Sequence, residues 1–188
     1  MTATLAPPLS ARLALTPETT RAGLLDGAWW PRSRDLAAEL PSLVDALAER
    51  WGRVTRATVN PGSWPVVPHK VAVPGHTVHV GWFTEQDPDK VILLCYAVGR
   101  CDLLVVPPGT EPGAAARLMA AAALPGGVRT AGVLMSDEAA TGPRAARDAR
   151  GGEDTWETDG GSTPPPSPPS PHPVVGARMI PLRGNPRR

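Results

Sequence analysis

Two periods alternate along the first 125 residues. Residues 11–16, ARLALT, step with period two and predict a first strand, ended by Pro17. Residues 24–30 lead into Trp29-Trp30. Alternation puts Leu25, Gly27 and Trp29 on one face of that strand and Asp26, Ala28 and Trp30 on the other, before Pro31 ends it. From Leu36 the period lengthens: Leu36, Leu40, Leu43, Leu47 and Trp51 recur at helical spacing as one apolar stripe. Ser33 is the expected N-cap, with Asp35 in the first turn, where a carboxylate suits the positive end of the helix. Pro41 interrupts the stripe and predicts a kink, or a short first turn before a helix proper over 41–50, closed at Gly52.

Period two then returns. Residues 53–59 predict a strand and 60–68 an irregular, proline-rich link. Residues 67–73 and 76–83 flank Pro74-Gly75, a pair that suits a type II turn better than a tight hairpin, which leaves a two-residue turn and a looser loop both open. In the simplest register Val71 faces Val78 and Val67 faces Trp82, with Lys70 and His79 on the opposite side. Residues 91–98 and 101–106 flank Gly99-Arg100, which fits a type II′ turn. These two strands are apolar on both faces and should be central and covered from both sides. In that register Cys95 and Cys101 point to opposite faces, cannot be bridged, and read as buried small hydrophobes. Glu111-Pro112 opens an alanine-rich helix over 112–124, stopped by Leu124-Pro-Gly-Gly127. Val128 to Met135 adds at most a short apolar element. The pattern predicts an α+β fold: one domain over 1–125 on a mostly antiparallel, curved sheet of about six or seven strands with two helices.

Composition changes the picture after residue 125. Residues 160–173, GGSTPPPSPPSPHP, hold no apolar side chain large enough to anchor a core, so 126–188 is expected to be a Pro/Gly/Ser-rich, mostly disordered tail. Charge separates nothing. Residues 1–125 carry eleven basic and eleven acidic side chains, and 126–188 carry eight and seven. Such a balance offers no field to steer nucleic acid or a membrane surface, and neither partner is expected. No apolar run is long enough to span a bilayer, and residues 1–15 lack a basic leader followed by an apolar stretch. A cytoplasmic protein with reduced cysteines is the expectation.

Candidate chemistry is sparse. His69, His76 and His79 fall on one predicted hairpin but on both of its faces, so no metal is expected. No nucleophile elbow is present, and Pro107 and Pro108 remove the amide donors that a phosphate loop would need; no cofactor is expected. What stands out is the corner Asp26-Gly-Ala-Trp-Trp-Pro-Arg-Ser-Arg-Asp35. Trp29, Trp30, Arg32 and Arg34 either wall a pocket for an anion or planar ligand, or clamp the start of the helix through Arg–Asp pairs. Arg100, Asp102 and Trp82 are the residues expected to complete such a pocket with Asp26. The reading is a non-enzymatic binding or regulatory module that contacts a protein or small-molecule ligand through this corner. The alternative is a small-molecule enzyme using Asp26, Arg34 and Asp102. Convergence of acids and arginines in a concave pocket favours the enzyme; mutual surface ion pairs count against it.

The runs DGAWWPRSRDLAAELP (26–41), HTVHVGWFTEQDPDKVILL (76–94) and CDLLVVPPGT (101–110) resemble a family of small actinobacterial proteins known only as a domain of unknown function. The resemblance covers roughly residues 10–124. It implies a cytoplasmic bacterial protein and brings no activity, cofactor or catalytic residue with it.

Overall fold

In the computed structural model, which describes residues 10–18 and 21–142, the alternating stretches become seven strands. They are β1 (Leu13–Leu15), β2 (Gly27–Trp29), β3 (Val54–Val59), β4 (Lys70–Val73), β5 (His76–Trp82), β6 (Lys90–Cys95) and β7 (Gly99–Val105). Helix α1 (Leu36–Trp51) follows β2, and α2 (Pro112–Ala122) follows β7. Of the tail expected over residues 126–188, residues 143–188 lie outside the described residues, while 131–142 form a helix.

The strand order is β1-β2-β7-β6-β3-β5-β4, and the sheet is mixed rather than mostly antiparallel. Two pairings are parallel, β2 with β7 and β3 with β5. The cause is the crossover. Helix α1 carries the chain from β2 back to its starting end, so β3 runs in the direction of β2. The β4–β5 hairpin then docks through its second strand, and β5 lies parallel to β3.

Helix α1 buries the predicted stripe, Leu36, Leu40, Leu43, Leu47 and Trp51, together with Val44. Its N-cap is Asp35, not Ser33: the Asp35 carboxylate accepts the amides of Ala37 and Ala38 at 3.0 and 3.2 Å. Ser33 instead accepts the Asp35 amide and donates to Glu39 Oε1 at 2.9 Å. The helix also runs unbroken through Pro41. Proline removes one donor, while Leu36 and Leu40, both fully buried, tie the preceding turn to the sheet.

Two hairpins depart from expectation. In the first, Val73 pairs with His76, so Pro74-Gly75 closes the two-residue turn of the simplest register, with Gly75 at φ 79°. Val71 does face Val78, but no pairing joins Val67 to Trp82, because β4 begins only at Lys70. The β6–β7 turn sits at Tyr96-Ala97-Val98 instead of Gly99-Arg100. Leu93 pairs with Cys101 and Cys95 with Gly99. This odd shift places Cys95 and Cys101 on the same face, both buried and both free thiols. The physical reason is Asp102. The predicted register would have aligned it with Val91, Leu93 and Cys95 on the core side, whereas the observed one sets it opposite Ile92 on the outer face.

A third helix, α3 over residues 131–142, stands where only a short apolar element was expected. Thr130 begins it, its hydroxyl accepting the Val133 amide, and Ala131 and Leu134 bury against Leu118 and Ala122 of α2. Only Gly132 and Val133 separate these anchors, and Ser136, Asp137 and Glu138 follow soon after, so the apolar run is too short to display helical spacing.

The sheet therefore carries two cores. On one face α1 packs over Trp29, Val54, Val59, Val78, Leu93, Leu103 and their neighbours. On the other, α2 and α3 cover Leu25, Ala28, Leu104 and Val106. That second cover stops short of β6, where Leu94 is 40% exposed, so β6 is central but not covered on both sides as expected. The adjacent tryptophans divide between the two cores: Trp29 is fully buried and stacks on Trp64 at 5.7 Å, while Trp30 lies half-buried beside α2. Trp29→Ala should cost about 3–5 kcal/mol in urea unfolding, and Trp30→Ala clearly less. Equal losses would contradict this division.

Candidate functional site

The residues singled out in the sequence occupy three separate places. At the carboxyl ends of β2 and β7 lies the tryptophan–arginine corner, and a residue outside the candidate set governs it. The Arg12 guanidinium stacks on the Trp30 ring, 3.6 Å from its centroid, and donates to the carbonyls of Trp30 at 2.9 Å and Pro31 at 2.7 Å. The Trp30 indole donates to the Pro107 carbonyl at 3.1 Å. Arg32 donates to the Ser10 carbonyl and Arg34 to that of Ser63. These guanidinium groups fasten loops by their backbone oxygens, and the Arg–Asp clamp imagined from the sequence is not among their contacts. Beside them Pro31, Arg34, Trp64, Asp89, Pro107 and Pro108 line a slot of only 50 Å³, against the roughly 300–1,000 Å³ of ligand sites. Arg12 was legible in principle: an antiparallel β1–β2 register that pairs Leu13 with Trp29 puts it opposite Trp30.

At the other end of the sheet Asp26, Arg100 and Asp102 come together. Asp26 and Asp102 join the mouths of β2 and β7 twice: the Asp26 amide donates to the Asp102 carbonyl at 2.7 Å, and the Asp102 amide donates to Asp26 Oδ2 at 2.8 Å. The Asp102 carboxylate is held by Arg100 through two hydrogen bonds of 2.7 and 2.8 Å, with Lys90 at 3.5 Å. Asp26 takes part in none of the ion pairs among the described residues. Burial raises its carboxyl above the ordinary carboxylate range, outweighing the Asp102 amide that favours the charged form.

Asp26 also faces an open cleft. It measures 460 Å³ and is lined by Thr16, Glu18, Arg21, Asp26, Arg50 and Trp51, among others. Two polar atoms in its lining residues, Thr16 Oγ1 and Trp51 Nε1, are buried without a protein hydrogen-bond partner. Arg50 lies in the last turn of α1, where a cation suits the helix end, and its guanidinium stands 3.7 Å from Glu18. Arg50, Trp51 and Thr16 were missed because they meet Asp26 only when β1 and the end of α1 are folded together. Cys95 and Cys101 lie close enough to feel the Asp26 charge. Burial, chiefly, pushes the Cys95 thiol up to about 11 and that of Cys101 up as well, which keeps both protonated and inert.

Trp82 completes neither place. It sits at the end of β5, four strand spacings from β2, or about 19 Å. There it is 42% exposed and tilts against His69 at 5.1 Å. The histidines disperse as well. His76 meets the Val54 carbonyl at 2.7 Å and His79 lies on the outer face, and among the described residues no three metal-ligating side chains converge.

The chain belongs to a family of unknown function, DUF5994. The family's sequence profile matches residues 12–122, from the arginine that stacks on Trp30 to the end of α2. Helix α3 lies beyond the matched DUF5994 span. None of the curated proteins and none of the solved structures matches the chain. Among the described residues of this DUF5994 protein, no helix is long and apolar enough to cross a membrane.

The raised Asp26 carboxyl has a sign that experiment reads directly. A folded-state value above the unfolded one means that its favourable contribution is full below the ordinary carboxylate range, near pH 4, and is lost as pH rises through the folded value. Asp26→Asn keeps an oxygen to accept the Asp102 amide but cannot ionise. Its urea midpoint should therefore gain on that of the unsubstituted protein as pH rises above about 4. A difference constant with pH would contradict the raised value.

Proposed function

We propose that this DUF5994 domain is a non-enzymatic binding or regulatory module whose ligand, a small polar molecule, occupies the Asp26 cleft rather than the tryptophan–arginine corner. The observation that carries the reading is the half-buried Asp26 carboxyl facing 460 Å³ of open space beside Arg50 and Trp51. A carboxyl, a guanidinium and an indole give a ligand one acceptor or donor, one cation and one flat apolar wall.

The enzyme alternative draws less support. Of its three polar groups, Asp102 is neutralised by Arg100 and Arg34 is engaged with the Ser63 carbonyl at the far end of β2. Asp26 alone faces the cleft. The two free, buried cysteines support a reducing compartment such as the cytoplasm.

A thermal-shift screen of small polar metabolites on the full chain tests the reading. A ligand at a hundred times its dissociation constant stabilises by about 2.7 kcal/mol, a shift of several degrees. The shift should vanish in Arg50→Ala and shrink in Asp26→Asn, with the ligand recovered unchanged. Hits indifferent to both substitutions would move the site elsewhere, and chemical conversion of the ligand would restore the enzyme reading.

A further inference from the structure

The part of the outer sheet face that α2 and α3 leave open is crossed by one row of register partners. Lys70 pairs with His79, His79 with Arg56, Arg56 with Leu94, and Leu94 with Arg100. Partners in a sheet project to the same side, so the row spans about 19 Å on one surface. All five side chains are exposed. Asp102 holds Arg100, but Lys70, His79 and Arg56 take part in none of the ion pairs among the described residues. Their neighbours along the strands are Ala72, Thr77, Gly81 and Thr58, none of them charged. Lys70 and Arg56 thus stand two strand spacings apart, about 10 Å, on one surface. The balanced total charge conceals this row, because acids such as Asp45 and Glu49 ride on α1, across the sheet.

Aromatic residues flank the row. The chain has one phenylalanine and one tyrosine, and both are exposed at the ends of this face, Phe83 by 65% and Tyr96 by 87%. Phe83 continues the outward alternation of His79 and Gly81, and Tyr96 that of Ile92 and Leu94. A Cβ added at Gly81 meets nothing within 4 Å, so the surface between His79 and Phe83 is open.

We propose that this face binds single-stranded nucleic acid. Its phosphodiester backbone follows Lys70, His79 and Arg56, and its bases stack on Phe83 and Tyr96. Exposed rings beside a basic track are the combination that unpaired bases and their phosphates use. An acidic peptide uses the cations and leaves the rings idle. A duplex asks for a helix or ribbon reaching into a groove, and this face is formed by the flat of the sheet. The site is separate from the Asp26 cleft, so either stands or falls alone. It also departs from the expectation, drawn from net charge, that nucleic acid is not a partner.

Fluorescence anisotropy of a labelled oligothymidine, about 20 nucleotides long, with the full chain is the test. Affinity should fall with salt along a log–log slope between about −1.4 and −2.1, or about 0.7 for each of two or three cations. Lys70→Glu and Arg56→Glu should each weaken binding at least about tenfold without lowering the melting temperature, since both side chains are exposed and take part in none of the ion pairs among the described residues. Phe83→Ala should weaken it about tenfold and leave the slope unchanged. Polyglutamate of equal charge should fail to displace the oligonucleotide. No binding at about 100 μM protein, charge-reversal variants that bind normally, or displacement by polyglutamate as complete as by unlabelled oligothymidine would each overturn the proposal.

Discussion

The arrangement depends on how closely β2 is gripped between its two neighbours at Gly27. The Ala14 carbonyl oxygen of β1 lies 2.1 Å from where a Cβ would stand on Gly27, whose φ is 150°. On the other side Gly27 pairs in parallel with Leu103 of β7. A three-residue strand held this closely needs an anchor where it begins, and Asp26 supplies it by exchanging two hydrogen bonds with Asp102. Everything that β2 positions follows. Ala28 turns to the α2 side, Trp29 to the α1 side, and the chain then leaves through Pro31 toward the Asp35 cap.

Seen from that strand, the double tryptophan is a joint. One ring closes the α1 core against Trp64 and the other gives Arg12 a surface to stack on. Arg12, Arg32 and Arg34 hold peptide oxygens around this joint, a role that the planar, five-donor guanidinium fills better than lysine. The same strand places Asp26 at the opposite mouth, where its carboxyl is partly desolvated and faces a cleft. Structural duty and available chemistry thus sit at the two ends of three residues.

Much of this was legible along the chain. Leu36, Leu40, Leu43, Leu47 and Trp51 were readable as a buried stripe because helical spacing is local, and Val71 opposite Val78 because a two-residue turn fixes its own register. What failed was non-local or energetically close. The parallel pairings depend on where the α1 crossover lands, which no strand encodes by itself. The β6–β7 register turned on keeping one carboxylate, Asp102, off the core face, and that outweighed the turn preference of Gly99-Arg100. Of the candidate site, Asp26, Arg100 and Asp102 do meet, while Trp82 lies four strands away. Arg50, Trp51 and Thr16 could not be joined to Asp26 without the fold.

The most direct test of the grip on β2 is urea unfolding of Gly27→Ala beside Gly75→Ala. Both glycines have positive φ, but a Cβ at Gly75 meets nothing within 4 Å. Gly75→Ala should therefore cost only the backbone strain, about 1–2 kcal/mol. Gly27→Ala adds a clash with backbone that cannot give way, and should cost well above about 3 kcal/mol or abolish folding. Equal, small losses at the two positions would show that β2 is not held as described, and the placement of Trp29, Trp30 and Asp26 would lose its cause.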